Sequence, residues 1–325
     1  HFTCGAAPAS GVTAYDKNFM RGKSKRARQE PTVAIVGPGR LGQAMGKLLF
    51  RAGEPVRLVA ARQLSRARKA ARFIGGKAIG LKDRRLGDAG IFLITTSDAA
   101  ISPVARRVAS LRSHWTGRVI LHTCGSLPAS ILDPFKKRGA AIGSLHPYQT
   151  VPSPGAGVRN LTRCYWAVEG DRKAVAIARR WVKALDGKSF TIAPEYKPLY
   201  HLSAFLVCPT VVTLMDCSER LLVDAGVPKK IIRRMLGRFV SETAHNFAEL
   251  GAQKSLTGPA VRGDWATLQR HIAQLQRFAP EVIPAYVELV DLMLGFASGR
   301  SSSKKVGNNT KSSDKRPRAV RRRGK

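Results

Sequence analysis

The chain has 325 residues, of which 44% are hydrophobic and 7% aromatic, so a wholly disordered polypeptide is excluded and two packed domains are within reach. Its formal net charge is +35; residues 1–30 carry +4 of this and residues 298–325 carry +10. The remaining +21 on residues 31–297 favours anionic ligands, but no strip of interleaved basic and aromatic residues there indicates nucleic-acid recognition.

Both ends of the chain differ from its middle. Residues 1–30 and 298–325 are rich in Ser, Gly, Lys and Arg and show almost no apolar periodicity. Such segments bury too little apolar surface to fold, so we expect two flexible basic tails. The tail at 298–325 predicts a weak contact with nucleic acid; the alternative is that the basic surplus is only a solvated surface.

The cysteines and the longest apolar run bear on the compartment. The five cysteines are widely spaced and include no Cys-x-x-Cys pair, which predicts reduced thiols, no zinc site and a cytoplasmic protein. The apolar run at residues 202–215 is shorter than the roughly 20 residues that a membrane span needs, and it contains Pro209. We therefore expect a buried helix there and no membrane contact.

From residue 32, short apolar runs alternate with longer amphipathic ones, which is typical of βαβ units with a parallel sheet. The runs predict strands at 32–36, 56–60, 91–94, 119–122 and 141–145, and helices at 41–51 and 64–73. Two later runs, 165–168 and 189–192, flank a predicted helix at 173–185 and are candidates to extend the sheet.

After about residue 197 the strand signals stop. Helices are predicted at 199–223, 228–250, 265–278 and 281–296, the third behind an Asp264 N-cap. The fold class is therefore α/β, with a Rossmann-like, doubly wound, mostly parallel sheet followed by an all-helical domain. We place the dinucleotide-binding domain at 31–160 and the mainly helical domain at 161–297.

A glycine loop carries the clearest functional signal. The sequence Gly37-Pro38-Gly39-Arg40-Leu41-Gly42 directly follows an apolar strand and opens a helix. In such a loop Gly37 makes the tight turn, Gly39 lets the backbone approach a pyrophosphate, and Gly42 lets helix and strand pack closely. The helix N-terminus, at Arg40 and Leu41, offers unpaired N–H donors to phosphates. A ligand-free tight turn is the alternative.

The end of the second strand indicates which dinucleotide binds. NAD-binding folds usually place Asp or Glu there, about 20 residues after the loop, to bind the ribose hydroxyls. Residues 58–62 contain no acid and end in Arg62, whose guanidinium can pair with a 2′-phosphate. The sequence therefore predicts NADP, with a solvated Arg62 as the alternative.

Polar residues follow the apolar strand at 91–94. Its carboxyl end is where a parallel sheet opens its ligand crevice, so these residues predict contact with the nicotinamide ribose. They are Thr95, Thr96 and Asp98. For Asp98 a helix N-cap is the alternative. At the end of the next strand, His122 can be either a buried core histidine or a site residue. Ser126, just after it, is a candidate helix cap.

Six motifs occur in order along the chain. They are residues 37–42, 96–101, 122–126, 144–150, 197–201 and 256–264. Over residues 31–297 the chain resembles bacterial Rossmann-like proteins with a C-terminal domain of unknown function. More distantly it is similar to pyrroline-5-carboxylate reductase, ketopantoate reductase, prephenate dehydrogenase and the β-hydroxyacid dehydrogenases. The resemblance implies an oxidoreductase fold, with a C-terminal domain like that of 6-phosphogluconate dehydrogenase, but no particular substrate.

The resemblance also implies catalytic candidates. His146, followed by Pro147, stands where prephenate dehydrogenases hold an active-site histidine, and imidazole is a common proton partner. Lys197 and His201 stand where β-hydroxyacid dehydrogenases place a Lys and an Asn that polarise the substrate oxygen. Pro198 disfavours helical geometry at Lys197, which we expect at or before the N-cap. The alternative is that Lys197 is a solvated residue at the helix start and that His201 is buried between the domains, with no catalytic role for either.

The helical domain supplies two candidate substrate-binding residues, and at one position it departs from the family's sequence pattern. Arg262, held between two glycine-containing turns, suits bidentate pairing with a carboxylate, and Asn246 is a second candidate substrate-binding residue. The family tends to place an Asn about eight residues after His201, where this chain has Pro209. We expect this proline to lie inside a helix and to kink it.

These features favour an NADP-dependent oxidoreductase acting on a small carboxylated carbonyl, imine or hydroxy compound. His201, Lys197 or His146 would transfer the proton, at a site between the sheet's carboxyl edge and the first long helix of the second domain. We expect a homodimer through the helical domain. A non-catalytic NADP-binding sensor or scaffold, and a nucleic-acid-associated protein using its basic tail, remain alternatives.

Overall fold

The computed structural model describes residues 31–297. The two tails expected at 1–30 and 298–325, and the nucleic-acid contact expected of the second, lie outside the described residues. The described residues form two compact units, which divide between Phe205 and Leu206.

The first unit alternates strands and helices. Its elements are β1 (Val33–Val36), α1 (Arg40–Arg51), β2 (Val56–Ala61), α2 (Leu64–Ile74), β3 (Lys77–Gly80), β4 (Ile91–Ile94), α3 (Asp98–Ala109), β5 (Val119–His122), α4 (Asp133–Lys136), β6 (Ala141–Pro147), α5 (Pro154–Asn160), β7 (Tyr165–Gly170), α6 (Arg172–Ala184), β8 (Lys188–Thr191) and α7 (Lys197–Val207). Helix α7 runs two residues past the division between the units.

The strands form one eight-stranded sheet in the order β3-β2-β1-β4-β5-β6-β7-β8. Every neighbouring pair is parallel except β6 and β7, which are antiparallel. The mostly parallel, Rossmann-like sheet expected from the sequence is confirmed. Because β7 pairs with β6 and β8 pairs with β7, the sheet continues to Thr191, past the domain boundary that we placed at residue 160.

Helices cover both faces of the sheet, which explains why its central strands are apolar throughout. Val33 and Ile35 of β1 pack in one buried cluster with residues of α1, α2 and α6. Ala34 and Val36 of the same strand pack in a second cluster, with residues of α3 and α4, on the opposite face. Successive side chains of a strand point to opposite faces, so a strand buried on both faces shows no polar alternation.

The second unit is helical, as predicted. Its helices are α8 (Pro209–Asp224), α9 (Lys229–Ser255), α10 (Pro259–Arg262), α11 (Trp265–Phe278) and α12 (Ile283–Ala297). Asp264 caps α11 as expected, since its carboxylate accepts a hydrogen bond from the Thr267 N–H at 3.1 Å. Within 206–297 the buried residues are few: Ile232, Ala260, Leu268, Leu275 and Ala279.

The apolar run at 202–215 differs from its prediction in two ways. The run is not one kinked helix, because α7 ends at Val207 and α8 begins at Pro209, where a missing N–H costs no helical hydrogen bond. Nor is it buried, since Leu202 is 50% and Val212 62% exposed. Apolarity indicates that a surface avoids water; it does not say whether the same chain covers that surface.

By length and composition alone, one helical stretch among the described residues could cross a membrane. It is Pro194–Asp224, with a mean hydropathy of 1.5, and none of its apolar window is buried. A single stretch of this kind is weak evidence for a membrane span, and the chain breaks it at Cys208, the N-cap of α8.

Candidate active site

The glycine loop is locked against the end of β4. Gly37 has φ +74°, a conformation that favours glycine, and a Cβ there would overlap the methyl group of Thr96. A Cβ on Gly42 would overlap the hydroxyl of Thr95, which donates a 2.8 Å hydrogen bond to the Gly37 carbonyl. Two of the three glycines therefore allow the loop and α1 to pack directly on β4.

Gly39 has a different role, because its α-carbon lies against open space. Among the described residues, the atom nearest to a Cβ there would be the Thr95 carbonyl oxygen, at 3.9 Å. Gly39 is also the N-cap of α1, and neither a side-chain cap nor an acidic residue occupies the first turn, which contains Arg40 and Leu41. This helix N-terminus is thus exposed as an anion-binding group.

A buried hydroxyl lies beside this loop. Thr96 Oγ1 has no hydrogen-bond partner among the described residues, although buried polar groups in proteins nearly always have one. An uncapped helix N-terminus, an open Gly39 and an unpaired hydroxyl fit the phosphate and ribose groups of a dinucleotide. The residues present therefore fit a dinucleotide cofactor.

Arg62 lies next to the carboxyl end of β2. The strand ends at Ala61, and Arg62 is exposed and forms no ion pair with another described residue. Helix α2, which starts two residues later, has no acidic residue in its first turn. This segment therefore contains no acidic residue that would repel a 2′-phosphate.

The segment after β5 meets the start of α3. Ser126 Oγ lies 3.5 Å from the carboxylate of Asp98 and 3.3 Å from Cys124 Sγ. Asp98 is the first residue of α3, and the N-cap is Ser97, so Asp98 is not the helix cap considered above. Ser126 is not a cap either, because the short 3-10 turn that follows is preceded by Pro128.

Two histidines and a tyrosine converge where β5 and β6 end. His146 Nδ1 lies 2.9 Å from Tyr200 Oη, and the ring centroids of His146 and His201 are 6.1 Å apart. A Cβ on Gly125 would lie 2.8 Å from His146 Nε2 and 2.9 Å from His201 Cδ2. Gly125 therefore lets the backbone after β5 lie directly against both imidazoles.

Sequence reasoning singled out neither Tyr200 nor Gly125. Both stand in motifs that carried the family resemblance, Tyr200 beside His201 and Gly125 beside Cys124. Their position in those motifs was the available signal. A tyrosine at a helix start or a glycine in a loop has many structural explanations, so residue type alone did not identify them.

Lys197 is fully buried and takes part in a polar cluster. Its ammonium donates hydrogen bonds to Ser144 Oγ at 2.7 Å and to the Cys124 carbonyl at 3.3 Å, and lies 4.0 Å from Glu169 Oε2. Glu169 Oε2 also accepts from the Ala129 N–H at 2.8 Å and from Ser144 Oγ at 3.2 Å. The ammonium thereby ties α7 to the loop after β5, to the middle of β6 and to β7.

The surroundings of Lys197 differ from what its sequence neighbours suggested. It is the first residue of α7, with helical angles of φ −59° and ψ −40°, rather than a residue before the helix. It is not solvated, and burial lowers its pKa, although Glu169 partly opposes that shift.

His122 is a core histidine. It is fully buried, its Nδ1 accepts from the Cys124 N–H at 3.1 Å, and its Nε2–H donates to the Pro128 carbonyl at 3.3 Å. Burial, reinforced by the positive charge of Lys197, lowers its pKa to about 3. His122 therefore stays neutral and shapes the loop after β5.

The two candidate substrate-binding residues belong to the second unit. Asn246 lies on α9 and is exposed, and Arg262 is the last residue of α10 and is also exposed. Their roles remain predictions.

Two family models match consecutive parts of the chain. Residues 19–147 match a Rossmann-like domain, and residues 164–292 match a domain of unknown function, DUF2520. The resemblance to Rossmann-like proteins with such a C-terminal domain is thus confirmed. No curated protein matches the chain.

Solved structures share the fold over most of this chain. A Thermotoga maritima protein is 24% identical, with a TM-score of 0.68, over 82% of this chain and 99% of its own. A proposed NADP oxidoreductase of Bacteroides fragilis is 21% identical, with a TM-score of 0.67, over 81% and 98%. A 1-pyrroline-5-carboxylate reductase of Streptococcus pyogenes is 15% identical, with a TM-score of 0.55, over 83% and 98%. At these identities the similarity shows the fold.

The buried histidines predict acid sensitivity. The pKa of both His122 and His146 falls from 6.5 to about 3 in the folded protein, so below pH 6.5 the unfolded chain binds protons that the folded chain does not. Their contribution to stability is present above pH 6.5 and is lost as the pH falls toward 3. We expect the free energy of unfolding to decrease by up to about 1.4 kcal/mol per pH unit for each histidine.

Urea unfolding of the wild type and of His122→Gln across this pH range measures the effect. The variant should show a shallower pH dependence, whatever its absolute stability. His114→Gln makes the same substitution at an exposed histidine and is the matched control. Equal slopes for His122→Gln and the wild type would contradict the assignment.

Proposed function

Because the chain joins a Rossmann-like domain to a DUF2520 domain, we propose that it is an NADP-dependent oxidoreductase acting on the carbonyl or imine carbon, or on the corresponding hydroxy carbon, of a small carboxylated compound. One observation carries the proposal. The strands that end at the open glycine loop and at the His146 and His201 pair belong to one parallel set, β1, β4, β5 and β6, so their carboxyl ends share one edge of the sheet.

The structural relatives support the same chemistry. The Bacteroides fragilis protein is described as a proposed NADP oxidoreductase, and the Streptococcus pyogenes protein as a reductase of 1-pyrroline-5-carboxylate. That compound is a cyclic imine bearing a carboxylate. An excess of positive charge on this chain suits an anionic cofactor and an anionic substrate.

The three catalytic candidates differ in what they can do. When bound, NADPH supplies the hydride, so the protein must supply a proton and hold the acceptor atom. Lys197 is enclosed, and its ammonium already binds Ser144 and the Cys124 carbonyl, so we assign it a positioning role. Burial holds the pKa of His146 at about 3, which leaves no transferable imidazolium proton near neutral pH. His201 lies on α7, the helix that begins with Lys197, and is adjacent to Gly125. We propose that it is the proton donor.

Arg62 is expected to select NADPH over NADH. Arg62→Asp should weaken NADPH binding by about 1.5–3 kcal/mol, because it removes a charge-assisted phosphate contact, and should leave NADH binding nearly unchanged. Titration of each cofactor into the purified variants measures this. Arg57→Asp is the matched control, since it makes the same charge change at an exposed position near the amino end of β2. Equal affinity of the wild type for both cofactors would refute the role of Arg62.

Turnover tests the function itself. We expect NADPH oxidation with at least one member of a panel of keto acids and carboxylated cyclic imines. His201→Ala should lower kcat by about 10²–10⁴-fold while NADPH still binds, because a general acid is lost. His114→Ala, an exposed histidine just before β5, should turn over like the wild type. Tight NADPH binding without turnover of any compound would favour a sensor or scaffold instead.

The second unit has too little core of its own, which leads us to propose a homodimer through its helices. Only five of its described residues are buried, whereas Phe239 and Phe247 on α9 are 72% and 60% exposed. A soluble monomer rarely exposes so much apolar surface, and a helical unit that lacks a core can complete one with an identical unit.

Light scattering should therefore give about twice the chain mass of 35.3 kDa. Phe239→Glu should shift the protein toward monomer, because it places a charge on the apolar surface. Glu249→Gln, at an exposed polar residue of the same helix, should not. A wild-type monomer that instead binds lipid vesicles would show that a membrane covers this surface.

A further inference from the structure

The ring of Tyr200 is half-buried and packs against three other rings. Its ring centroid lies 5.4 Å from that of His146 at an interplanar angle of 88°, 5.5 Å from Tyr148 and 5.9 Å from Phe190. Among the described residues, the only hydrogen-bond partner of Tyr200 Oη is His146 Nδ1, at 2.9 Å.

This single contact determines which atom donates. A neutral imidazole has one N–H and one acceptor nitrogen, and a phenol has one O–H. If His146 Nδ1 carried the ring proton, the phenol hydrogen would have no acceptor among the described residues. Burial also raises the pKa of Tyr200, so the phenol keeps its proton. The O–H therefore donates to Nδ1, and the ring proton of His146 resides on Nε2.

Nε2 is the nitrogen that faces the backbone after β5. It is the His146 atom nearest to the position of a Cβ on Gly125, at 2.8 Å, and it has no hydrogen-bond partner among the described residues. The ring stays neutral: burial, then the positive charge of Lys197 and the proximity of His201, lower the pKa of His146 to about 3. The titratable groups around it are Lys197, Tyr200 and His201 on α7 and His122 on β5, and none is a carboxylate.

We propose that Tyr200 is a positioning residue that holds His146 in the Nε2–H tautomer, so that a neutral imidazole donates a hydrogen bond to the substrate atom that gains electron density. The substrate part of this inference rests on the proposed function. The ring loses no proton in this role. A fixed neutral donor stabilises developing negative charge without reorganisation and complements a separate proton donor such as His201.

The tautomer can be read without any substrate. In the full-length protein with ¹⁵N-labelled histidines, the His146 signals, identified by their absence in His146→Gln, should show a protonated Nε2 and an unprotonated Nδ1. They should not titrate between about pH 5 and 8. Tyr200→Phe should release the ring into a mixture of tautomers. Tyr148→Phe is the matched control, because that phenol bonds Ser203 instead of His146 and its ring is retained.

Turnover with a substrate from the panel adds a second readout. Tyr200→Phe should lower kcat roughly 2- to 10-fold with little change in KM, since one orienting hydrogen bond is lost. His146→Gln, which keeps a neutral N–H donor, should retain more activity than His146→Leu. Circular dichroism of each variant confirms that it is folded.

The outcomes separate this inference from the proposed function. A wild-type His146 protonated on Nδ1, a ring that titrates near pH 6.5, or a tautomer unchanged in Tyr200→Phe overturns the inference whether or not turnover is found. Equal activity of His146→Gln and His146→Leu overturns the hydrogen-bond role. The expected tautomer in a protein that turns over nothing on the panel supports the positioning by Tyr200 and contradicts the proposed function alone.

Discussion

The candidate site depends on one buried ammonium. Lys197 is fully enclosed, and a charge in such a place costs several kcal/mol unless it is paired and hydrogen-bonded. Those interactions come from three segments of the sheet: Ser144 on β6, the Cys124 carbonyl after β5, and the nearby Glu169 on β7. The start of α7 is therefore held at the sheet's carboxyl edge, and Tyr200 and His201 follow within the next turn.

The same ammonium influences the chemistry around it. Its positive charge adds to burial in lowering the pKa of His122 and of His146, so both rings stay neutral. The two neutral rings are then used differently, because their hydrogen bonds differ. His122 has both nitrogens bonded to the backbone, whereas within residues 31–297 His146 is bonded through Nδ1 alone, to Tyr200. The buried charge of Lys197 thus both holds α7 in place and keeps the two nearby imidazoles neutral.

Local pattern was sufficient for much of the fold. β4 and β5 were predicted with their observed bounds, because a short apolar run flanked by loop residues is typical of a strand covered on both faces. The glycine loop was identifiable for the same reason, since strand, loop and helix are adjacent in sequence. β3 was missed: Lys77–Gly80 has a lysine, a glycine and little apolar periodicity, and it forms because β2 offers it an edge.

The sequence by itself determined the order of strands and helices, the glycine loop and the presence of Arg62 where NAD-binding folds place an acid, because each depends on residues close together in the chain. The tertiary structure alone decided that Lys197 is enclosed beside Glu169, 28 residues earlier, and that Tyr200 meets His146, 54 residues earlier. It also decided that the run at 202–215 is exposed in the single chain. Burial and hydrogen-bond partners are properties of packing between distant segments, and residue type and spacing do not encode them locally.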